Sequence, residues 1–338
     1  MKRLVSLLAL ATATACATSV PVDNIVATPI PSAFETDPMT GEGDRADDPA
    51  IWVNPADASK SLILGTNKDE GVYVYNLDGS ERQRLMVGPS NNIDLRGTLA
   101  VASNDSVNGL SWFDIDPVTL EVIHLFDTPT GKDEPYGICA GMVGGVYHAA
   151  TTYKDGTVQL WAAAAHADGE LAPEIVRTVK LGSKLEGCVI DDVNARLFIG
   201  EEAVGVWSVD LADTSSAPVA IDTIAAGNGL VEDVEGMSLW LGDDGAGYLV
   251  VSAQEADRFV VYDRLPPHAP RGVITITESL DGSVDTVTHT DGLDVTSAAL
   301  PGFPNGVLIV QDDANPASEV DQNFKVIDWT LISAALGL

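Results

Sequence analysis

The sequence predicts an all-β protein, a single domain closed into a six-bladed β-propeller behind an N-terminal signal peptide and a short tether. Three observations carry that expectation. Short apolar runs alternate with Gly, Asp and Asn turns through most of the 338 residues, with little helical periodicity. One pattern recurs six times, its openings spaced roughly 43 to 56 residues apart, the range of a propeller blade. No composition break or linker interrupts the series, so even spacing favours one ring over two separate β domains.

The elements follow in chain order. Residues 1–16 read as a signal peptide: Lys2 and Arg3 form a basic start, Leu4 to Leu10 an apolar stretch too short to span a bilayer, and small residues lead to Cys16. Ala13-Thr14-Ala15-Cys16 resembles a bacterial lipobox ending at Cys16, with ordinary cleavage at a small-x-small site as the competing reading. Either predicts export, as a periplasmic or secreted protein or a lipoprotein anchored in the outer membrane. Residues 17–34, rich in Pro, Thr and Ala, read as a flexible tether, and 35–338 as the propeller. Its six openings are Asp47-Asp48-Pro49-Ala50-Ile51-Trp52, Asn92-Ile93-Asp94-Leu95, Glu134-Pro135-Tyr136-Gly137-Ile138, Leu185-Glu186-Gly187-Cys188, Asp233-Val234-Glu235-Gly236-Met237 and Thr290-Asp291-Gly292-Leu293-Asp294. Each leads into a β-rich run such as Leu62-Ile63-Leu64 or Leu197-Phe198-Ile199, then a strand with an aromatic end such as Val72-Tyr73-Val74-Tyr75. Cys139 and Cys188 are offset by one residue from the glycine in Tyr-Gly-Ile-Cys and Glu-Gly-Cys-Val. In regular strands that offset turns them to opposite faces, so two buried free thiols are expected although export permits a disulfide.

Charge narrows the function. Eighteen Lys and Arg against 50 Asp and Glu leave a net charge of −32. That argues against nucleic acid or anionic lipid as a direct partner, and leaves any membrane association to the N-terminal anchor. Solubility alone would scatter acids over the surface, yet here they recur at one phase of the repeat. In a propeller the innermost strand of each blade lines the central channel, so Asp47, Asp48, Asp94, Glu134, Glu186, Asp233, Glu235, Asp291 and Asp294 are expected at one rim. Such carboxylates repel one another unless cations neutralise them, and an all-oxygen donor set suits calcium over zinc. Lys68, Arg96, Lys154 and Lys184 fall beside the same openings, which suits an anionic oxyanion substrate. No Gly-x-Ser-x-Gly elbow, Walker loop or His-Glu-x-x-His is present, and the five His are scattered. Asp114-Ile115-Asp116-Pro117-Val118 mimics an aspartyl-nucleophile motif but falls in a propeller turn. Neither cysteine has the phosphate-cradling loop a thiol nucleophile would need.

A set of motifs in register completes the reading. Gly43-Asp44-Arg45-Ala46-Asp47-Asp48-Pro49-Ala50-Ile51-Trp52, Thr66-Asn67-Lys68, Asn91-Asn92-Ile93-Asp94-Leu95-Arg96, Leu185-Glu186-Gly187, Asp233-Val234-Glu235-Gly236, Thr290-Asp291-Gly292-Leu293-Asp294 and Gln322-Asn323-Phe324-Lys325 resemble the β-propeller phytases from about residue 35 to the end. The resemblance implies a calcium-dependent phosphomonoester hydrolase of the 3-phytase type. It would act on phytate (myo-inositol hexakisphosphate) as a monomer, with several Ca2+ ions as cofactor and a metal-bound water attacking phosphorus directly. By position, Asp47, Glu186, Asp233, Glu235, Asp285 and Asp291 would hold the catalytic calcium and Glu201 would position the water. Lys68 and Tyr136 would contact the scissile phosphate and Lys154 its neighbour, with Arg96 as a further cation. Asp48, Asn92, Asp94, Gln254 and Asp312 match positions near other calcium sites. Two positions depart from the family: Asp69 and Asp105 stand where Lys and Arg are usual. That departure leaves a non-catalytic, calcium-binding propeller as the alternative, with a lactonase-like propeller hydrolase a weaker third reading.

Overall fold

The computed structural model describes residues 25–41, 43–165, 171–315 and 322–338; the expected signal peptide and Cys16 lie outside them. Six sheets follow one another along the chain. Blade 1 runs from the inside outwards as Ala46–Trp52, Leu62–Asn67, Gly71–Asn76 and Glu81–Leu85. Blades 2, 3 and 4 repeat the order from Ser90–Arg96, Ile138–Val143 and Leu185–Asp191. Blade 5 begins at Val234–Leu241 and blade 6 at Leu293–Thr296. The innermost strands pack in sequence, and that of blade 6 returns against that of blade 1, which closes the ring.

The N-terminal segment seals that closure. Phe34–Glu35 pairs antiparallel with Asn323–Asp328 as the fourth strand of blade 6. Thr28–Pro31, placed in the tether by the sequence, is instead a strand running parallel to Pro270–Thr277 on the outside of blade 5. Its Ile30 is buried against Ile274 and Ile276, and that apolar contact ties the segment down.

Stacking of blades explains the composition of the strands. A middle strand is covered on both faces by neighbouring blades, so Leu62-Ile63-Leu64 reads as a continuous apolar run, not an alternating one. Among the described residues the core divides into six apolar clusters, one at each interface between neighbouring blades. A short helix, Trp329–Leu336, ends the chain; Asp328 caps it by accepting from the Thr330 N–H at 2.8 Å, and Trp329 stacks on Trp240 at 5.5 Å.

One expectation fails here. Cys139 and Cys188 form a disulfide that joins the innermost strands of blades 3 and 4. The offset itself stands: Cys139 faces blade 4 and Cys188 faces back to blade 3, both inside the apolar cluster of that interface, while their neighbours Ile138 and Val189 face away from it. Opposite faces of neighbouring strands in a ring are the ones that meet, so the offset brings the two thiols together across the interface of blades 3 and 4.

Candidate active site at the channel mouth

A bulge builds the mouth of the channel. In blades 1, 2, 4 and 5 the register between first and second strand slips by one residue, at Asp47-Asp48, Asn91-Asn92, Glu186-Gly187 and Glu235-Gly236. A bulge re-aims a side chain that regular pleating would send into a blade interface. In blades 3 to 6 the next residue is glycine, at Gly137, Gly187, Gly236 and Gly292. A Cβ at any of them would come closer than 3.0 Å to backbone of the following blade's opening, or for Gly292 that of blade 1. The repeated x-Gly pair is therefore a packing demand, and x is the residue presented at the rim: Tyr136, Glu186, Glu235 and Asp291, joined by Asp47 from blade 1. Hydroxyls bolt the openings together. Thr152 Oγ1 donates to Glu186 O at 2.7 Å and Ser252 Oγ to Thr290 O at 2.8 Å.

These rim groups meet one another. Carboxylate oxygens of Glu186, Glu202 and Glu235 lie within 4.8 Å of each other, and all three side chains are buried. Lys68 Nζ sits 2.7 Å from Asp291 Oδ2, 2.8 Å from Asp44 Oδ1 and 3.8 Å from Asp47 Oδ2. Gln254 donates to the other oxygen of Asp291. The Lys154 ammonium lies 4.3 Å from the centre of the Tyr136 ring. Asp233 is near enough for its charge to act on Glu202.

Burial sets the electrostatics. It drives the Asp47 carboxyl well above its ordinary range, opposed by Lys68 and reinforced by Glu186 and Asp291. Glu235 is raised in the same way by burial and then by Glu186. Burial takes Asp291 up to about 6 against the pull of Lys68, and Glu202 up to about 7 against that of Lys184. Lys68 loses some charge preference to burial, but Asp47, Asp291 and Asp44 hold its ammonium above the lysine range. The Tyr136 hydroxyl is raised by burial and by Glu186, Glu235 and Asp47, so it remains a hydrogen-bond donor. Both oxygens of Asp47, Glu235 Oε2 and Glu202 Oε1 are buried without a hydrogen-bond partner. Buried carboxylates are rarely left so, and a divalent cation held by oxygen donors is the group that fits.

Other predicted residues are placed differently. Glu202, which sequence reasoning passed over, occupies the acid cluster in place of Glu201, whose Oε1 accepts from Ser183 Oγ at 2.7 Å. Glu201 ends the second strand of blade 4 and Glu202 opens the turn that follows, so the two side chains leave the strand end in different directions. Arg96 lies at the far end of its strand, about 13 Å along the channel from Asn92 at the usual rise. There it pairs with Asp94 at 3.0 Å and Asp192 at 3.2 Å. Asp48 and Asp94 act as acceptors between blades, from Ile93 N at 3.1 Å and Ala140 N at 2.7 Å respectively. Asn92 Oδ1 is buried and unpartnered. Asp285 and Asp312 converge on a second cation, the fully buried Lys325. Its Nζ is 2.5 Å from Asp285 Oδ1, ion-paired to Asp312, and 3.6 Å from Glu35 Oε2. Asp69 is ion-paired to Arg45, and Asp105 accepts from Asn91 Nδ2 at 3.3 Å.

Comparison with known proteins gives this arrangement a relative. The chain is 32% identical over 325 residues to the 3-phytase of Bacillus subtilis (strain 168), an alignment covering 90% of this chain and 84% of that protein. A solved structure of a nidogen/laminin complex aligns with 67% of this chain and 79% of its own at 14% identity and a TM-score of 0.48, too distant to bear on activity. The family model described as Phytase matches residues 1–338. The match runs the length of the chain, and the protein therefore belongs to the phytase family of enzymes.

Proposed function

We propose that the channel mouth is a calcium-dependent phosphomonoester hydrolase site that releases phosphate from phytate. The observation that carries the reading is the set of orphaned carboxylate oxygens on Asp47, Glu202 and Glu235, beside Glu186. Asp47, Glu186, Glu202, Glu235 and Asp291 would hold calcium, with Gln254 and Asp233 at the margin. A second group, Glu35, Asp285 and Asp312, is already paired with the buried Lys325 ammonium and is left out of the calcium set. Bound calcium would neutralise the carboxylates, bridge substrate phosphates and raise the acidity of a water. The chain's own groups do the rest. Lys68 and the protonated Tyr136 hydroxyl orient the scissile phosphate, and Lys154 steadies its neighbour. Glu202, rather than Glu201, is the carboxylate placed to orient the attacking water.

Charge supports the same reading. A polyphosphate approaches a chain of net charge −32 only where cations cover the entrance. The two departures from the family pattern cost less than their charge suggests, since Arg45 neutralises Asp69 and burial pushes the Asp105 carboxyl up. Phosphate release from calcium phytate, measured with and without chelator, tests the proposal: chelator-sensitive release is expected, and release indifferent to chelator contradicts it. Export belongs to the same proposal, with the Cys16 anchor checked by whether Cys16→Ala frees the protein from the membrane fraction.

A further inference from the structure

Lys184 has no role in the assignments above, yet it stands between the two halves of the mouth. It lies immediately before the innermost strand of blade 4. Its ammonium is 2.8 Å from Glu202 Oε2 and 5.1 Å from the centre of the Tyr136 ring, the ring that Lys154 approaches at 4.3 Å. The main chain holds the pair in register, with Glu202 N donating to Lys184 O at 3.1 Å. The two ends of the ion pair differ in freedom. The Glu202 side chain is 5% exposed and fixed in the acid cluster, whereas that of Lys184 is 39% exposed on a flexible four-carbon stem. Glu202 Oε1 has no partner, so Lys184 compensates only part of the charge there.

We propose that Lys184 is a further phosphate-binding residue held in reserve by Glu202: its ammonium is the stand-in cation of the metal-free mouth, yields Glu202 when calcium is bound, and turns to grip a substrate phosphate beside Tyr136 and Lys154. The inference rests on the calcium reading of the mouth. Its physical basis is exclusion. An ammonium and a divalent cation sharing one carboxylate repel each other strongly at such short range, so a metal ligated by Glu202 releases Lys184. The freed ammonium stays within a side chain's reach of the Tyr136 ring, where the charge of Lys154 is partly offset by Asp105. Lys184 thereby restores the positive charge that Asp105 removes. Substrate phosphates meet the full set of cations only after calcium has entered, which makes binding ordered.

Two variants of the full chain test this, Lys184→Met, which keeps the stem and loses the charge, and Lys184→Arg, which keeps both. Titration calorimetry of chelator-stripped protein with calcium alone reads the exchange. Lys184→Met binds calcium at the mouth about three- to tenfold more tightly than wild type, because its competitor is gone. At saturating calcium its KM for phytate rises about five- to twentyfold while kcat changes less than about threefold. Lys184→Arg keeps both near wild type. Unchanged or weaker calcium binding in Lys184→Met overturns the exchange, and an unchanged KM overturns the phosphate contact. Should wild type release no phosphate with calcium, the hydrolase reading has failed separately. The proposal is then decided by calcium calorimetry together with binding of inositol hexasulfate, a polyanion of similar shape. Lys184→Met must bind the first more tightly and the second more weakly, or the proposal falls.

Discussion

The mouth of the channel and the channel wall below it use the same residue type, on the same strands, to opposite ends. In the wall every carboxylate is occupied. Asp294 accepts from Ile51 N at 2.8 Å, from Ser238 Oγ at 2.7 Å and from its neighbour Val295 N at 2.7 Å, which joins blade 6 to blades 1 and 5. Asp48 joins blade 1 to blade 2, and Asp94 joins blade 2 to blade 3. At the mouth Asp47, only one residue from Asp48, has no hydrogen bond to either oxygen. Burial raises both groups of acids, Asp294 up to about 6 among them, so desolvation does not separate them. What separates them is satisfaction: the wall spends its carboxylates on the fold, and the mouth keeps them for a cation.

The largest effect expected from breaking that contrast is on activity. Glu235→Gln removes a mouth charge and should lower phosphate release by about 100-fold or more at saturating calcium. Its metal-free melting temperature should equal or exceed that of wild type, because a buried, unsatisfied carboxyl has given way to an amide that cannot ionise. The wall should respond in reverse. Replacing Cys139 and Cys188 together by Ala removes the link between blades 3 and 4, which closes a 49-residue separation, and should cost about 3–4 kcal/mol on a chain-entropy account. Calcium binding at the mouth should persist in that variant, as calorimetry would show. Asp294→Ala takes the acceptor from Ile51 N and Ser238 Oγ, while Val295 N keeps Ser238 Oγ, and should destabilise by about 1–3 kcal/mol in denaturant titration, with the calcium response retained. A destabilised Glu235→Gln, or a calcium-blind Asp294→Ala, would erase the distinction between the regions.

The remaining effect is one of pH, and its sign is fixed by the raised carboxyls. In chelated protein the native state keeps protons on Asp291 up to about 6 and on Glu202 up to about 7, while the unfolded chain gives them up near 4. The native state therefore binds more protons in that window, and stability falls as pH rises above about 4, with Asp47 and Glu235 adding to the fall. Melting scans with chelator should show a progressive decline in melting temperature that Glu202→Gln makes shallower. Added calcium should remove the decline, since the metal takes the deprotonated ligands.

Much of this was legible in the sequence because repetition is a global signal. Six openings at blade spacing, with Glu-Gly, Glu-Gly and Asp-Gly at one phase, located the ring and the rim together. What escaped was local. Opposite faces keep two thiols apart on one sheet but bring them together across an interface between blades, so the offset of Cys139 and Cys188 decides nothing until the ring is known. Arg96 was placed at the rim because its motif opens there, although five residues of strand carry it down the channel. Glu201 and Glu202 fall on either side of the boundary between strand and turn, which Gly200-Glu201-Glu202 does not mark. Asp285 and Asp312 gave no sign of their buried partner Lys325, which sits on another strand and is exposed to no solvent at all.

The central claim is that unsatisfied mouth carboxylates are a calcium site, and calcium titration calorimetry of chelator-stripped wild type against Asp47→Asn/Glu235→Gln tests it most directly. The double variant should lose a class of calcium sites that wild type shows, while folding at least as stably without metal. Superimposable isotherms for the two proteins would contradict it.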